Sequence, residues 1–338
     1  MTPPLDDLIV VCGAGGFIGG HLLGDLRRQG YRHLRGVDVK PLSRWYQTYP
    51  DVSNLVLDLQ HLDACTTAVR GARSVYNLAA DMGGMGFIEN NKGLCMLSVL
   101  INTHLLMASR QAGVERFFFS SSACVYAHDK QTDPKVEGLK EDDAYPAMPE
   151  DGYGWEKLFS ERMCRHFRED FGLTTRVARY HNVYGPHGTY DGGREKAPAA
   201  ISRKVAMSVI NGDRTIEIWG SGEQTRSFTY IDDCLYGTQA IMQSADVTFP
   251  INLGSSEKVS INQLVDLVED IAGIKLERRY NLNAPKGVNG RNSDNTLISK
   301  TLGWAPATSL RVGMEHTYRW IYDEVKSGRS KDAAVNQA

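Results

Sequence analysis

The chain has 338 residues, which against a usual domain size of roughly 100–200 residues leaves room for two lobes or one large α/β unit. Apolar residues make up 42% and charged residues 23%, a globular balance, and no run approaches the roughly 18 consecutive apolar residues of a membrane span. A net charge of −2 excludes any global attraction to nucleic acid or an anionic membrane, so an anion site has to be built locally from a few Arg and Lys side chains.

Met1 to Asp7 lacks the basic start of a signal peptide, and the apolar run after it breaks at glycines, which places the chain in the cytoplasm. The six cysteines, at positions 12, 65, 95, 124, 164 and 234, form no C-x-x-C, and no histidine stands at zinc-finger spacing. Reduced thiols are therefore expected rather than disulfides, and no metal site.

In chain order, Leu8–Cys12 reads as a strand, Phe17–Gln29 as a helix, and Leu34–Asp38, Leu55–Asp58 and Ser74–Ala79 as further strands. A helix follows over about Asn91–Ala112, then a strand at Arg116–Ser121, a helix at Tyr153–Phe171 and a strand at Thr175–Tyr180. Short apolar runs alternating with helical patterns are the signature of parallel βαβ units, so the fold class is α/β, a Rossmann-type doubly wound sheet of at least six strands. Past Tyr184 come a charged glycine-rich loop (Gly185–Lys196), a helix from about Ala199 to Asn211, and strand-like pieces near Ile216–Trp219 and Phe228–Ile231. Ser260-x-x-Gln263 is a capping box ahead of an apolar helix face, and a last helix covers about Leu310–Lys326. The expected division is a dinucleotide-binding domain over 1–183 plus about 229–254, a smaller α/β substrate lobe over about 184–228 plus 255–326, and a flexible tail over 327–338.

Gly13-Ala-Gly-Gly16-Phe-Ile-Gly19 joins the first strand to the first helix. There glycines turn the chain tightly and bring helix N-terminal N–H groups, from Gly16, Phe17 and Ile18, to a pyrophosphate. Asp38 ends the second strand, about 20 residues on, where a carboxylate accepts from adenosine ribose hydroxyls and repels a 2′-phosphate, favouring NAD over NADP. The same residue also reads as a turn aspartate. Asp58, placed at the end of the third strand, stands where an adenine amino group can be met.

Tyr153-Gly-Trp-Glu-Lys157 stacks Tyr153 and Lys157 four residues apart on one helix face. Oxidising a secondary alcohol needs a base for its hydroxyl proton, and a phenol near pKa 10 serves once a cation such as Lys157 lowers it. Ser120-Ser-Ser122 ends the preceding sheet strand and offers a hydroxyl to the same substrate oxygen, with Ser122 the catalytic candidate. Alone, Y-x-x-x-K is a weak signal. Below the glycine motif it carries weight.

These residues, with Asn77-Leu-Ala-Ala-Asp-Met-Gly-Gly-Met-Gly-Phe87, Ser121-Ser-Ala-Cys-Val-Tyr126, His181-Asn-Val-Tyr-Gly-Pro186, Gly193-Arg-Glu-Lys-Ala-Pro-Ala-Ala200, Gln224-Thr-Arg-Ser-Phe228 and Gly290-Arg-Asn-Ser-Asp-Asn-Thr296, resemble the extended short-chain dehydrogenase/reductases over nearly the full length. Within that group the chain is most similar to the GDP-mannose 3,5-epimerase family. Val125, where isoleucine is expected, is a small departure.

The resemblance implies bound NAD, a GDP-mannose substrate and a homodimer built through helices of the sheet domain. It also implies transient oxidation at C4, inversion at C3 and C5, and re-reduction, giving GDP-L-galactose with GDP-L-gulose as a further product. A C4 ketone acidifies the C3 and C5 hydrogens, so inversion needs an acid and a base on opposite faces. Cys124, where simple 4-epimerases often carry threonine, and Lys196 take those roles, in either order; read without the resemblance, Cys124 is a small buried residue and Lys196 a surface lysine. Arg226 and Arg291 are implied as diphosphate ligands, with Asn182 and Lys204 as further polar contacts. The remaining implied substrate contacts are Gly83, Ala123, Glu195, Ala197, Gln224 and Thr225. Alternatives are a nucleotide-sugar 4-epimerase or 4,6-dehydratase, the latter disfavoured by Ala123-Cys124 where dehydratases carry an acidic pair, and a dinucleotide-sensing regulator, disfavoured by the intact Tyr153/Lys157 pair.

Overall fold

A computed structural model describes residues 4–329. Its first half alternates β1 (Ile9–Cys12), α1 (Phe17–Arg28), β2 (Leu34–Asp38), β3 (Ser53–Val56), α2 (Leu62–Val69), β4 (Ser74–Asn77), α3 (Met85–Asn90), α4 (Lys92–Met96), α5 (Ser98–Gln111), β5 (Arg116–Ser122), α6 (Tyr153–Phe171) and β6 (Thr174–Tyr180). Then come β7 (Val183–Tyr184), α7 (Ala197–Asn211), β8 (Thr215–Trp219), β9 (Thr225–Ser227), β10 (Thr229–Tyr230), α8 (Ile231–Gln243) and β11 (Ile251–Leu253). The chain continues with β12 (Lys258–Ser260), α9 (Ile261–Ala272), β13 (Glu277–Asn281), β14 (Gly290–Arg291), α10 (Thr296–Leu302) and α11 (Leu310–Lys326).

Seven strands form one parallel sheet in the order β3-β2-β1-β4-β5-β6-β11. The order reverses between β1 and β4, the crevice where doubly wound sheets bind their ligands. Because helices cover both faces, a central strand is apolar on both sides. Ile9 and Val11 of β1 point into one core and Val10 and Cys12 into the other, and Phe118 of β5 is parted from Phe117 and Phe119 in the same way. α2, α5 and α6 pack together over one face; α1 and α8 pack over the other.

Beyond the large sheet lie β8 with β13, β12-β9-β14, and β7 with β10, flanked by the mutually packed α7, α9 and α11. Ser260 caps α9 through the expected box, its hydroxyl accepting from the Gln263 N–H at 3.1 Å while Gln263 accepts from the Ser260 N–H at 2.8 Å.

Three expectations shift. The third strand ends at Val56, paired with Asp38, so Asp58 sits in the turn beyond it, its carboxylate accepting from Gln60 N–H at 2.9 Å. The helix expected over 91–112 breaks at Leu97, where the Ser98 hydroxyl turns away to accept the Asp81 N–H at 2.9 Å. By length and composition alone the stretch 92–111 is apolar enough to cross a membrane, yet Ile101, Leu105 and Leu106 are spent on the core beneath the sheet. The piece expected over Phe228–Ile231 divides between β10 and the start of α8. Of the expected tail, Ser327 to Arg329 continue from α11, and the rest lies outside the described residues.

Candidate active site

Gly13 adopts φ +83°, and a Cβ on it would meet the Leu78 and Ala79 backbone at 2.9 Å. A Cβ on Gly19 would stand 2.2 Å from the Gly13 carbonyl, so glycine there lets α1 close on the turn. Gly16 caps α1 without a side-chain hydrogen bond, and no acidic residue occupies the first turn around Phe17 and Ile18. The positive end of the helix is thus open to an anion. Asp38 is 8% exposed, its carboxylate accepting the Gly15 N–H at 3.0 Å and the Lys40 N–H at 2.9 Å. Each oxygen keeps a lone pair for a ribose hydroxyl. A glycine cradle, an uncapped helix start and a buried carboxylate beside it fit a dinucleotide.

The three serines closing β5 have separate fates. Ser120 donates to the Asn77 carbonyl at 3.1 Å, and Ser121 to the buried Glu161 at 2.6 Å. Ser122 is turned to the other candidates: it accepts the Cys124 N–H at 3.2 Å and hydrogen-bonds the Tyr153 hydroxyl. Ala123 and Cys124 follow in one short 3₁₀ turn, buried with Val125. Lys157 is 1% exposed, with Nζ 5.5 Å from the Tyr153 ring centroid and 3.6 Å from Glu156 Oε2. The expected lowering of the Tyr153 phenol is not what this site produces. Burial first, then the negative charge available to Cys124 and Glu156, hold it well above its usual value, against the Ser122 hydrogen bond.

Cys124, 7% exposed, is likewise pushed up to about 11, mainly by burial and next by Glu150, with Arg291 pulling the other way. At neutral pH it is a thiol, so the proton exchange that the resemblance implies starts from the protonated sulfur. Burial drives Lys196 in the opposite sense, down from its usual value, while Cys124 and Arg291 both act on it electrostatically. An amine made easier to deprotonate and a thiol made harder lie within electrostatic reach of each other.

The loops that carry these residues are tied together. Gly84 donates its N–H to the Arg194 carbonyl at 3.0 Å, and Arg194 reaches back to Asp81 at 2.8 Å and stacks 3.8 Å over the Phe87 ring. Gly83 beside it has room for no Cβ, which would meet the Phe87 side chain at 2.8 Å. Glu195 accepts from the Gly193 N–H at 2.7 Å, and Ala197 opens α7 immediately after Lys196.

Arg226 gives its guanidinium to the carbonyls of Thr225 and Val288 at 2.7 and 2.5 Å. Burial, then repulsion from Arg291, lowers it to about 9, a cation short of negative partners. Thr225 donates to the Pro134 carbonyl at 2.5 Å, Gln224 to that of Trp219 at 2.8 Å, and Asn182 to that of Ser227 at 3.1 Å. The Gln224 side-chain oxygen is buried without a partner. Lys204 is already engaged by Glu217, 2.8 Å from its carbonyl and 3.7 Å from its carboxylate.

Arg291 is where the arrangement departs most from expectation. Read as a diphosphate ligand, it instead directs Nη1 to Cys124 Sγ at 3.3 Å, Nη2 to Glu150 at 3.2 Å and Nε to Gln131 at 2.6 Å. One donor meets the thiol, while the other two contacts, to Glu150 and Gln131, fix the guanidinium beside it. Glu150 and Gln131 were missed by sequence reasoning because neither belongs to a motif; the one available signal was that Glu150 stands three residues before Tyr153.

Residues 9–254 match the family model described as the NAD dependent epimerase/dehydratase family. The chain is 44% identical to GDP-mannose 3,5-epimerase 1 of Oryza sativa subsp. japonica, covering 97% of this chain and 85% of the relative. It is 43% identical to GDP-mannose 3,5-epimerase of Arabidopsis thaliana, with the same two coverages of 97% and 85%. Among solved structures, UDP-glucuronic acid 4-epimerase from Bacillus cereus in complex with UDP-glucuronic acid and NAD superposes with a TM-score of 0.78 at 26% identity, covering 93% of this chain and 99% of that one. UDP-glucose 4-epimerase from Thermotoga maritima, at 24% identity and TM-score 0.81 over 94% of this chain and 99% of that one, shares the fold. Built on the same sheet and matched along nearly its whole length, this chain belongs to the NAD dependent epimerase/dehydratase family, in which the plant GDP-mannose 3,5-epimerases are its relatives.

Proposed function

We propose that this chain inverts C3 and C5 of the mannose in GDP-mannose, producing GDP-L-galactose, with GDP-L-gulose arising where C5 alone is inverted. The observation that carries this reading is the placement of a buried thiol, Cys124, within the Ser122/Tyr153 site and in electrostatic reach of Lys196. A 4-epimerase has no use for such a pair.

Gly13, Gly16, Gly19 and Asp38 hold the dinucleotide, which when bound supplies a reversible two-electron acceptor at sugar C4. Tyr153, hydrogen-bonded to Ser122, takes the C4 hydroxyl proton as the ketone forms and returns it at the end. Lys157 Nζ, 5.5 Å from the Tyr153 ring centroid, is the cation placed to offset part of the burial that holds the phenol up. Across the ketone, Cys124 and Lys196 exchange protons with C3 and C5 from opposite faces. Arg226, short of negative partners, suits a diphosphate. We assign the nucleotide-sugar to the lobe of residues 184–228 and 255–326, and the dinucleotide to residues 1–183 with 229–254.

The apolar side chains Leu94 and Met96 of α4, Leu97 just after it, and Trp155 and Phe159 of the adjoining α6 are exposed, which supports a homodimer through these helices. Six free, buried cysteines among the described residues suit the reducing cytoplasm. Proton NMR of GDP-mannose incubated with the purified protein tests the activity: signals of the galactose and gulose epimers are expected. A 4-epimer or a 4-keto-6-deoxy sugar as sole product overturns it.

A further inference from the structure

Arg291 and Glu150 meet Cys124 from two parts of the chain, and Gln131 braces the arginine from a third. Arg291 of β14, 5% exposed, lies against the sulfur at 3.3 Å and against Glu150 at 3.2 Å. Gln131 fixes the plane of that guanidinium from the far side at 2.6 Å and is itself anchored on the Tyr126 and Ala127 carbonyls, at 3.1 and 3.3 Å. Glu150 grips the cysteine twice: its N–H donates to the Cys124 carbonyl at 3.0 Å, and its carboxylate accepts from the thiol. Its own carbonyl then accepts the Gly154 N–H at 2.9 Å, at the start of the helix that carries Tyr153.

We propose that Glu150 is a positioning residue for the proton-transferring thiol: it holds Arg291 against Cys124 and competes with the sulfur for the Arg291 charge. The proposal rests on the reading that Cys124 exchanges protons with the sugar. A carboxylate is the stronger acid of the two, so it takes the guanidinium charge and leaves the thiol protonated. Burial is the strongest single influence and acts against the carboxylate, but Arg291, the hydrogen bond from Cys124 and Arg226 together more than offset it and keep Glu150 below its usual range. When Cys124 delivers a proton, its S–H bond breaks, a C–H bond forms and a thiolate remains; Arg291 is already in contact with the atom on which that charge appears. When Cys124 takes a proton, the same events run in reverse. Glu150 therefore sets how much of the Arg291 charge is available to the thiolate.

The charged and titratable groups facing Cys124 are Glu150 ahead of α6, Tyr153 on α6, Arg291 on β14, Arg226 on β9 and Lys196 ahead of α7. Of these only Glu150 both touches the thiol and is anionic at neutral pH. Removing its charge should ease ionisation of Cys124, and removing that of Arg291 should hinder it.

The test is the pH dependence of iodoacetamide labelling at Cys124, read by peptide mass spectrometry in the NAD-loaded protein. Glu150→Gln should lower the midpoint by about one pH unit or more, the usual effect of a neighbouring charge. Arg291→Gln should raise it. The pH midpoint of deuterium uptake at sugar C3 and C5 should move down in Glu150→Gln, and Glu150→Asp should restore both midpoints toward wild type. A folded Glu150→Gln protein with an unchanged or higher labelling midpoint overturns the proposal. Should that variant not fold, the Arg291→Gln midpoint decides, a rise supporting the proposal and no rise overturning it. Wild-type protein that takes up no deuterium would defeat the epimerase reading, while the labelling midpoints would still decide the role of Glu150.

Discussion

Gly84 and Glu195, more than a hundred residues apart in sequence, approach so closely that a Cβ on Gly84 would stand 2.4 Å from the Glu195 carbonyl oxygen. The contact seats the loop before α3 on the loop that presents Lys196. Gly84→Ala must displace Glu195 and Lys196, since neither partner is a flexible side-chain end. Misplacing a proton-transfer group by about 1 Å costs on the order of 10²-fold, so epimerisation should fall by about that much. Bound NAD should be unaffected, because the glycine turn at Gly13 lies elsewhere. Product NMR alongside assay of released dinucleotide checks both halves; loss of dinucleotide would mean the change spread beyond the loop.

Asp38 should matter twice. Its carboxylate is expected on the adenosine ribose and also accepts the Gly15 and Lys40 N–H groups. Asp38→Ala should therefore leave the protein free of copurified NAD and reduce its stability by roughly 1–3 kcal/mol, the cost of stranding a buried donor. Dinucleotide in the supernatant of denatured protein, and urea melts, give the two readings. Full NAD retention by the variant would remove Asp38 from the cofactor site.

The parts legible in sequence were those whose chemistry is local. The glycine turn, Asp38 at a strand end, and Tyr153 stacked over Lys157 each follow from spacing within one βα unit or one helix turn. What escaped depends on tertiary packing. Arg291 meets Cys124 across 167 positions, and Glu150 and Gln131 complete that cluster from a loop and a short 3₁₀ turn with no periodicity to read. The lowered phenol expected from Tyr-x-x-x-Lys failed because spacing reveals neither burial nor the charge of Glu156 beside the lysine. The third strand slid by two residues because its register comes from pairing with β2, which an apolar run does not encode.

Acid should loosen the floor of the site. His181 is fully buried, with Nε2 on Asn252 at 2.9 Å, and burial lowers it from 6.5 to about 4. The unfolded chain therefore binds this proton at higher pH than the folded one. The contribution is whole above pH 6.5 and is lost as pH falls toward 4, amounting to roughly 3 kcal/mol across that window. Urea midpoints at intervals through it should fall more steeply in wild type than in His181→Gln. Parallel curves would show that His181 does not contribute.

Phe159 on α6 is 52% exposed beside Trp155 at 44%, both large for a solvent face. Phe159→Glu should convert a dimer to a monomer with little change in monomer folding. Light scattering of wild type and variant at matched concentration reads the mass; a monomeric wild type would remove the dimer.

Tyr153 and Cys124 should separate the redox half of the reaction from the inversion half. Tyr153→Phe lacks the base for the C4 hydroxyl proton, and without a C4 ketone neither C3 nor C5 is acidic, so all product and all deuterium uptake should vanish. Cys124→Ala retains Tyr153, Lys157 and the dinucleotide site, so oxidation at C4 persists while inversion falls by about 10²–10⁴-fold, the usual worth of a positioned acid or base. In D₂O the wild type should carry deuterium into C3 and C5 of recovered sugar and none into C4, because the C4 hydrogen never exchanges with water. Because Cys124 is a thiol and Lys196 is eased toward the free amine, loss of either should stop exchange on its own face first. Deuterium at C4, or undiminished uptake at C3 and C5 in both Cys124→Ala and Lys196→Ala, would show that the two residues do not move these protons.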